Sequence, residues 1–134
     1  MIEDDPTIAL LETSLLSAMQ MDVRHGENGE DGFRQLLDWH PDLVVLDLNL
    51  PDMTGLDIIR RINEARLARR PEIIVVTGDK DSKMPFEALR LGANDLIRKP
   101  FEHEEFNLRV NAVLSNLDYQ RAVEDLQQKM KGDL

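Results

Sequence analysis

The stretch Asp42-Leu43-Val44-Val45-Leu46-Asp47 decides the fold, because it is apolar at nearly every internal position and ends in a carboxylate. A second stretch of the same kind is Glu72-Ile73-Ile74-Val75-Val76-Thr77. Continuous apolar runs of this length are typical of strands covered on both faces, as in a parallel sheet between two layers of helices. Weaker runs predict further strands at residues 1–4, 21–26 and 95–98.

The segments between these runs have helical spacing. In the first, Pro6 suits an initial helical position, and in the fourth, Asp81 or Ser82 is a candidate cap. Strand and helix therefore alternate five times, which predicts an α/β fold with right-handed crossovers. We expect a flavodoxin-like, doubly wound, five-stranded parallel sheet of order 2-1-3-4-5 with five helices, the last of them extended. Apolar residues recur in the first helix at Ile8, Leu11 and Leu15, and in the last at Phe106, Val110, Val113 and Leu117.

Composition excludes several classes of protein. The chain has 134 residues, which suits one domain, and no cysteine, which excludes disulfide scaffolds and thiolate metal sites. Its formal net charge of -10 disfavours direct binding of nucleic acid. No apolar run approaches the roughly 20 residues of a membrane span, and the acidic N-terminus is unlike a signal peptide. We therefore expect a cytoplasmic protein that contacts no membrane.

Polar residues gather where the predicted strands end. In doubly wound folds the carboxyl ends of the strands share one edge, and chemistry concentrates there. Three carboxylates, a hydroxyl and an ammonium then lie on this edge: Asp4, Asp5, Asp47, Thr77 and Lys99. Oxygen ligands without histidine or cysteine favour Mg²⁺ or Mn²⁺, and such an ion together with a lysine suits a phosphoryl group. Asp47 could be a metal ligand and also a nucleophile that forms an acyl phosphate.

These motifs, in this order, resemble a response-regulator receiver domain of bacterial two-component signalling, of the chemotaxis-regulator type. The resemblance covers about residues 1–117 and rests on motifs that are weak singly and specific together. They are Glu3-Asp4-Asp5, Leu46-Asp47-Leu48-Asn49-Leu50-Pro51-Asp52-Met53-Thr54-Gly55, Val76-Thr77-Gly78, Gly92-Ala93-Asn94-Asp95 and Lys99-Pro100-Phe101.

The resemblance implies a role for each position. Asp47 matches the phosphoacceptor, Thr77 the switch hydroxyl, and Lys99 the lysine that binds the phosphoryl group. The implied Mg²⁺ ligands are Asp5 and Asp47 directly, Asn49 through its backbone carbonyl and Asp4 through water. Gly78 matches the small residue beside the hydroxyl, and Lys99-Pro100 matches a peptide bond that is often cis in the family. Asn49 and Asp79 occupy positions that tune dephosphorylation.

The resemblance also implies partners. The phosphoryl donor would be a phosphohistidine on a sensor histidine kinase or a histidine phosphotransfer protein, and the receiver would control an output domain or effector protein. The chain could be the N-terminal part of a longer response regulator, with a receiver domain at 1–117 and a helical extension or linker at 118–134. It would be a signalling switch that catalyses its own phosphorylation and dephosphorylation, not a turnover enzyme.

Three departures from the family pattern stand out, of which the third is an extension past the usual end of the domain. Only Met1 and Ile2 precede the acidic cluster, whereas the family strand usually begins several residues earlier. We therefore expect the natural start to lie upstream and buried ladder hydrogen bonds to be lost here. In addition, Leu96 stands where the family usually has a switch aromatic, so coupling through a rotating ring is not expected.

The extension has its own apolar stripe of Tyr119, Val123, Leu126 and Met130, spaced by four, three and four residues. At about 100° per residue this stripe lies roughly 140° around the helix from the sheet-facing stripe that begins at Phe106. A second surface must cover it. The candidates are another copy of the chain, in a homodimeric coiled coil, and an output domain.

Two other functions remain open. A haloacid-dehalogenase-like phosphatase also uses a nucleophilic aspartate and Mg²⁺, but it needs a second acid two residues later, where this chain has Asn49. A pseudo-receiver would be an interaction module without phosphorylation, and the complete set of acids, Thr77 and Lys99 argues against it.

Overall fold

A computed structural model describes residues 1–78 and 83–132 of the chain. The predicted caps at Asp81 or Ser82, and Asp79, lie outside these residues. The elements, in chain order, are α1 (Pro6–Ala18), α2 (Gly29–Trp39), β1 (Leu43–Asp47), α3 (Gly55–Ala65), β2 (Glu72–Thr77), α4 (Met84–Arg90), β3 (Asp95–Arg98) and α5 (His103–Gly132). Among the described residues, no helix combines the length and apolar character that a bilayer crossing demands.

The sheet is parallel and has the order β1-β2-β3. In its register Asp47 lies opposite Val76, and Thr77 lies opposite Arg98. All three strands therefore run in the same direction and finish at one edge of the sheet. The strands predicted at residues 42–47, 72–77 and 95–98 are confirmed as β1, β2 and β3.

The two other predicted strands are reduced to single bridges, which corrects the expected strand count. Within the described residues, Ile2 forms parallel bridges to Gly26 on one side and to Leu46 on the other. The Ile2 amide donates to the Val45 carbonyl at 2.8 Å, and the Glu3 amide donates to the Gly26 carbonyl at 3.1 Å. The physical reason is length, because only two residues precede Glu3. The predicted order 2-1-3-4-5 still holds, since Ile2 lies between Gly26 and β1.

Helices cover both faces of the sheet, as the unbroken apolar strands predict. Ile73 and Val75 of β2 point to the layer of α2, α3 and α4, whose buried residues include Ile59 and Ile62. Ile74 and Val76 point to the opposite layer, which contains α1 and α5. Side chains alternate in direction along a strand, so each face of β2 supplies its own core. The α5 stripe of Phe106, Val110 and Val113 is buried there, as predicted.

The loop after β1 is held by two side chains that cap helices. Asp52 accepts hydrogen bonds from the Gly29 amide at 2.8 Å and the Glu30 amide at 2.9 Å, at the start of α2. These bonds lower the pKa of the Asp52 carboxyl. Thr54 and Asp57 form a reciprocal capping box at the start of α3. The segment that follows Asp47 is therefore attached to both neighbouring helices.

Candidate functional site

The site lies at the edge where the parallel strands finish. Asp47 is the last residue of β1, Thr77 is the last residue of β2, and Lys99 follows β3 directly. The topology therefore brings together side chains that are distant in sequence, as predicted for Asp47, Thr77 and Lys99. Asp47 is 7% exposed and Thr77 is fully buried, so their surroundings are protein and not bulk water.

Lys99 is the cation at the centre of the site. Its Nζ donates to Asp47 Oδ2 at 3.2 Å and also contacts Glu3 Oε1 in an ion pair. Burial alone would lower the pKa of Lys99. The hydrogen bond to Glu3 and the negative charge of Asp47 outweigh that effect, and the pKa is raised. Lys99 therefore stays charged and neutralises the carboxylates around it.

Glu3 is a site residue that the sequence analysis did not single out as a ligand. Its side chain is buried, and its Oε2 accepts from the Asp4 amide at 3.1 Å. The pKa of Glu3 is raised to about 8, mainly by burial and in addition by Asp47, while Lys99 opposes both effects. Burial is the larger cause, so the raised pKa reflects first the removal of Glu3 from water and second the neighbouring Asp47 carboxylate.

Three carboxylates form a group suited to a metal ion. Oxygen atoms of Glu3, Asp4 and Asp47 all lie within 4.8 Å of one another. The set contains oxygen donors only, from two buried residues and one exposed residue, which is the chemistry that Mg²⁺ or Mn²⁺ prefers. The residues present therefore fit a hard divalent cation, and Asp4 leaves one side of the group open to solvent.

Asp5, which was predicted as a direct metal ligand, is not part of this group. It is the N-cap of α1, and its Oδ1 accepts from the Thr7 amide at 2.9 Å and the Ile8 amide at 3.3 Å. The physical reason is Pro6, which occupies the first helical position and makes the preceding residue the cap. The acidic run is therefore shifted by one residue relative to the prediction, with Glu3 and Asp4 facing Asp47.

Backbone amides of Asn49 and Lys99 also hold the site in place. The Asn49 amide donates to Asp47 Oδ1 at 3.1 Å, which orients the carboxylate. The Lys99 amide donates to the Thr77 carbonyl at 2.9 Å and joins the two strand ends.

The Lys99-Pro100 peptide bond is cis, as predicted. A side chain at Gly78 would be in ordinary contact with Lys99, 3.7 Å from its Cβ. Leu96, at the expected aromatic position, packs against the core on the side of α2, α3 and α4.

A second buried acid, Glu12, lies on α1 within electrostatic reach of the site. The buried stripe of α1 is Ala9, Glu12 and Leu16, one position later than the apolar spacing indicated. Burial raises the pKa of Glu12 to about 7, with Asp47 adding to the shift and Lys99 and the chain's amino group opposing it. No sequence pattern indicated a carboxyl inside the core at this position.

The comparisons with known proteins agree with this geometry. A family model for the response regulator receiver domain matches residues 1–111. Among curated proteins, the chain is 34% identical over 113 residues to the regulatory protein LuxO of Vibrio cholerae, covering 83% of this chain and 24% of LuxO. It is 34% identical over 113 residues to the response regulator ArlR of Staphylococcus aureus, covering 84% of this chain and 50% of ArlR. The chain thus spans a quarter to a half of these relatives.

Solved structures give the same fold. A signal receiver domain from Vibrio parahaemolyticus superposes with a TM-score of 0.84 at 27% identity, covering 92% of this chain and 93% of that one. A CheY-like receiver domain protein from Methanospirillum hungatei has a TM-score of 0.81 at 21% identity, covering 89% and 94%. The second likeness concerns the fold alone. Both support the flavodoxin-like arrangement.

Proposed function

This chain belongs to the response regulator receiver domain family, and from that premise we propose that it is a phosphorylation-dependent signalling switch with Asp47 as its phosphoacceptor. Response regulators pair with histidine kinases and output domains. The observation that carries the proposal is the convergence of Lys99, Glu3 and Asp4 on the carboxylate of Asp47. Both the proposed donor and this receiver would be cytoplasmic.

The proposed reaction is transfer of a phosphoryl group from a phosphohistidine. An oxygen of the Asp47 carboxylate attacks phosphorus, an O–P bond forms, and the N–P bond of the donor breaks with its electron pair going to the imidazole nitrogen. Lys99, which is held 3.2 Å from Asp47 Oδ2, is placed to neutralise the charge of the incoming oxygens. Asn49 fixes the other carboxylate oxygen through its amide. Positioning and charge neutralisation are most of what phosphoryl transfer requires.

Receiver domains generally bind Mg²⁺. Here the proposed ligands are Asp4 and Asp47, with the Asn49 backbone carbonyl, and Glu3 is the neighbouring acid. A bound Mg²⁺ would supply charge neutralisation on the phosphoryl oxygens. Lys99 pairs with both Glu3 and Asp47, so its positive charge offsets the repulsion between these two carboxylates.

The proposed output is a shift between two states of the face formed by α4, β3 and α5. Thr77 ends β2, and its carbonyl accepts from the Lys99 amide; we assign its hydroxyl the role of responding to the charge at Asp47. Phosphorylation replaces the single negative charge of the Asp47 carboxylate with about two and adds three acceptor oxygens, which is enough to bias a packed element between alternatives. Partners that recognise this face then respond to the switch.

Intact-mass analysis tests the proposal. The chain is incubated with a small-molecule phosphodonor and Mg²⁺, and we expect one phosphoryl group on the wild type and none on Asp47→Asn. Incorporation by Asp47→Asn equal to that of the wild type would refute the assignment of the acceptor. Absence of incorporation in both would favour an interaction module. Steady turnover of a small phosphomonoester would favour a phosphatase.

A matched pair of variants tests the ligand assignment. Asp4→Asn should reduce the Mg²⁺-dependent rate of phosphorylation at least tenfold, whereas Asp5→Asn should behave like the wild type. Asparagine caps helices as well as aspartate does, so Asp5→Asn keeps the start of α1 intact. The reverse ranking of the two variants would restore Asp5 as the ligand.

A further inference from the structure

The end of α5 carries a mostly apolar stripe whose largest side chains are exposed and whose Val123 is half-buried. We call it the distal seam: Asn116, Tyr119, Val123, Leu126 and Met130, spaced by three, four, three and four residues. Tyr119 is 72% exposed, Leu126 is 59% exposed and Met130 is 63% exposed. This spacing is the a and d pattern of a heptad repeat, with Asn116, Val123 and Met130 at a and Tyr119 and Leu126 at d.

An ion pair sets the direction in which the distal seam points. Arg121 Nη2 contacts Asp42, the residue before β1, and so ties α5 to the body of the domain. At about 100° per residue Arg121 lies on the side of the helix opposite the distal seam. The seam is therefore turned away from the receiver body and presented outward.

The charge of this segment also favours association with a like segment. Residues 118–132 contain three acidic and three basic residues and carry no net charge, whereas the whole chain carries -10. The positions that flank the seam are Gln120, Ala122, Gln127 and Lys129. Like charges facing each other across such a seam would oppose pairing. Three of these four flanking residues are uncharged. The seam itself therefore adds no like-charge repulsion to that between the two acidic receiver domains.

We propose that the distal seam binds the same seam of a second copy of this chain in a parallel, two-stranded coiled coil. Val123 at a and Leu126 at d favour two strands, and a single asparagine at a fixes register, because Asn116 meets its counterpart only in the parallel arrangement. The segment is short for a coiled coil, but α5 is already helical back to His103. The folded domain therefore provides the helix nucleus that an isolated peptide would lack.

Light scattering of the chain tests whether a second copy binds at the distal seam. The wild type should approach twice the monomer mass as its concentration rises, and Leu126→Asp should stay monomeric. Gln128→Asp, which adds the same charge on the opposite side of the helix, should associate like the wild type. A wild type that stays monomeric at every concentration would overturn the proposal and leave the seam to an output domain. Equal association of both variants would overturn it as well, by assigning the contact to another surface.

Cysteine cross-linking tests the orientation, and the natural chain has no cysteine to interfere. Under mild oxidation Leu126→Cys should form a disulfide-linked dimer, because d positions of parallel helices face each other. Gln128→Cys should remain largely uncross-linked at the same protein concentration. Cross-linking between Asn116→Cys and Met130→Cys in a mixture, without cross-linking of Leu126→Cys, would overturn the parallel arrangement. Leu126 and Gln128 are both exposed, so neither cysteine substitution should alter the melting temperature of the receiver.

Discussion

Removing the buried carboxyl of α1 should stabilise the protein relative to the wild type, and by more at alkaline pH than at acidic pH. Glu12 is 1% exposed, and burial raises its pKa from 4.5 to about 7. The folded chain therefore holds this proton to a higher pH than the unfolded chain does. Its contribution to stability is greatest below about pH 4.5, falls as the pH rises towards 7, and is constant above that value.

The magnitude follows from the two pKa values. Ionising Glu12 in the folded state costs about 3 kcal/mol at about pH 8 and less than about 1 kcal/mol at about pH 5. Glu12→Gln keeps the shape and a polar end but cannot ionise. Relative to the wild type, the variant should therefore gain about 2.5 kcal/mol in its free energy of unfolding between these two pH values.

Urea denaturation at a series of pH values between about 5 and 8 measures this difference. Glu3, whose pKa is raised to about 8, acts in the same direction, and the amino group of Met1, whose pKa burial lowers to about 6, acts in the opposite one. Both groups remain in the variant, so the difference from the wild type contains Glu12 together with its interaction with the Met1 amino group. Glu64→Gln, which removes an exposed carboxylate on α3, is the matched control and should follow the wild type.

A difference between Glu12→Gln and the wild type that does not change with pH would refute the reasoning. It would mean that Glu12 is as easily ionised in the folded chain as in the unfolded chain. The burial of its side chain would then be compensated by polar contacts and not by a retained proton.

Three further changes test other features. Lys99→Met should lower the free energy of unfolding by about 2 kcal/mol, because it leaves buried carboxylates without their cation, and Mg²⁺ should recover part of the loss; unchanged stability would contradict this. Asp52→Ala should speed hydrogen exchange of the first amides of α2, measured by NMR, and unaltered exchange would count against the cap. Gly92 has φ +109 and would place a Cβ 2.6 Å from a side-chain nitrogen. Gly92→Ala should therefore lower the free energy of unfolding by about 1–2 kcal/mol, whereas Gly132→Ala, with no atom within 4 Å of its added Cβ, should not.

Much of the site could be predicted because parallel strands finish at one edge. Asp47 and Thr77 each end an apolar run, and a strand that is buried throughout leaves its first polar residue at the end of the sheet, while Lys99 directly follows the shorter strand β3. Side-chain identity and strand direction together were enough to place these three residues. The cis bond before Pro100 was expected only from the family resemblance.

It was harder to predict which of Glu3, Asp4 and Asp5 face Asp47, because the three residues are adjacent and all carry a carboxyl group. The decisive signal was Pro6, which commits the preceding residue to the helix cap. Glu12 could not be found in this way. A glutamate on a helix predicts an exposed face, and its burial depends on how α1 rotates against the sheet, which the spacing of Ile8, Leu11 and Leu15 did not fix.

The length of α5 gives the molecule a lever. Thirty residues without a break extend for about 45 Å, and the side chains of α5 that pack in the core end at Leu114. About 27 Å of helix extends beyond Leu114, so a tilt of about 10° there carries the far tip through about 5 Å, roughly the distance between neighbouring side chains on a helix. A small movement of the anchored part of α5 is thus magnified at its C-terminal tip. The shift there is large enough to change which side chains meet a neighbouring surface.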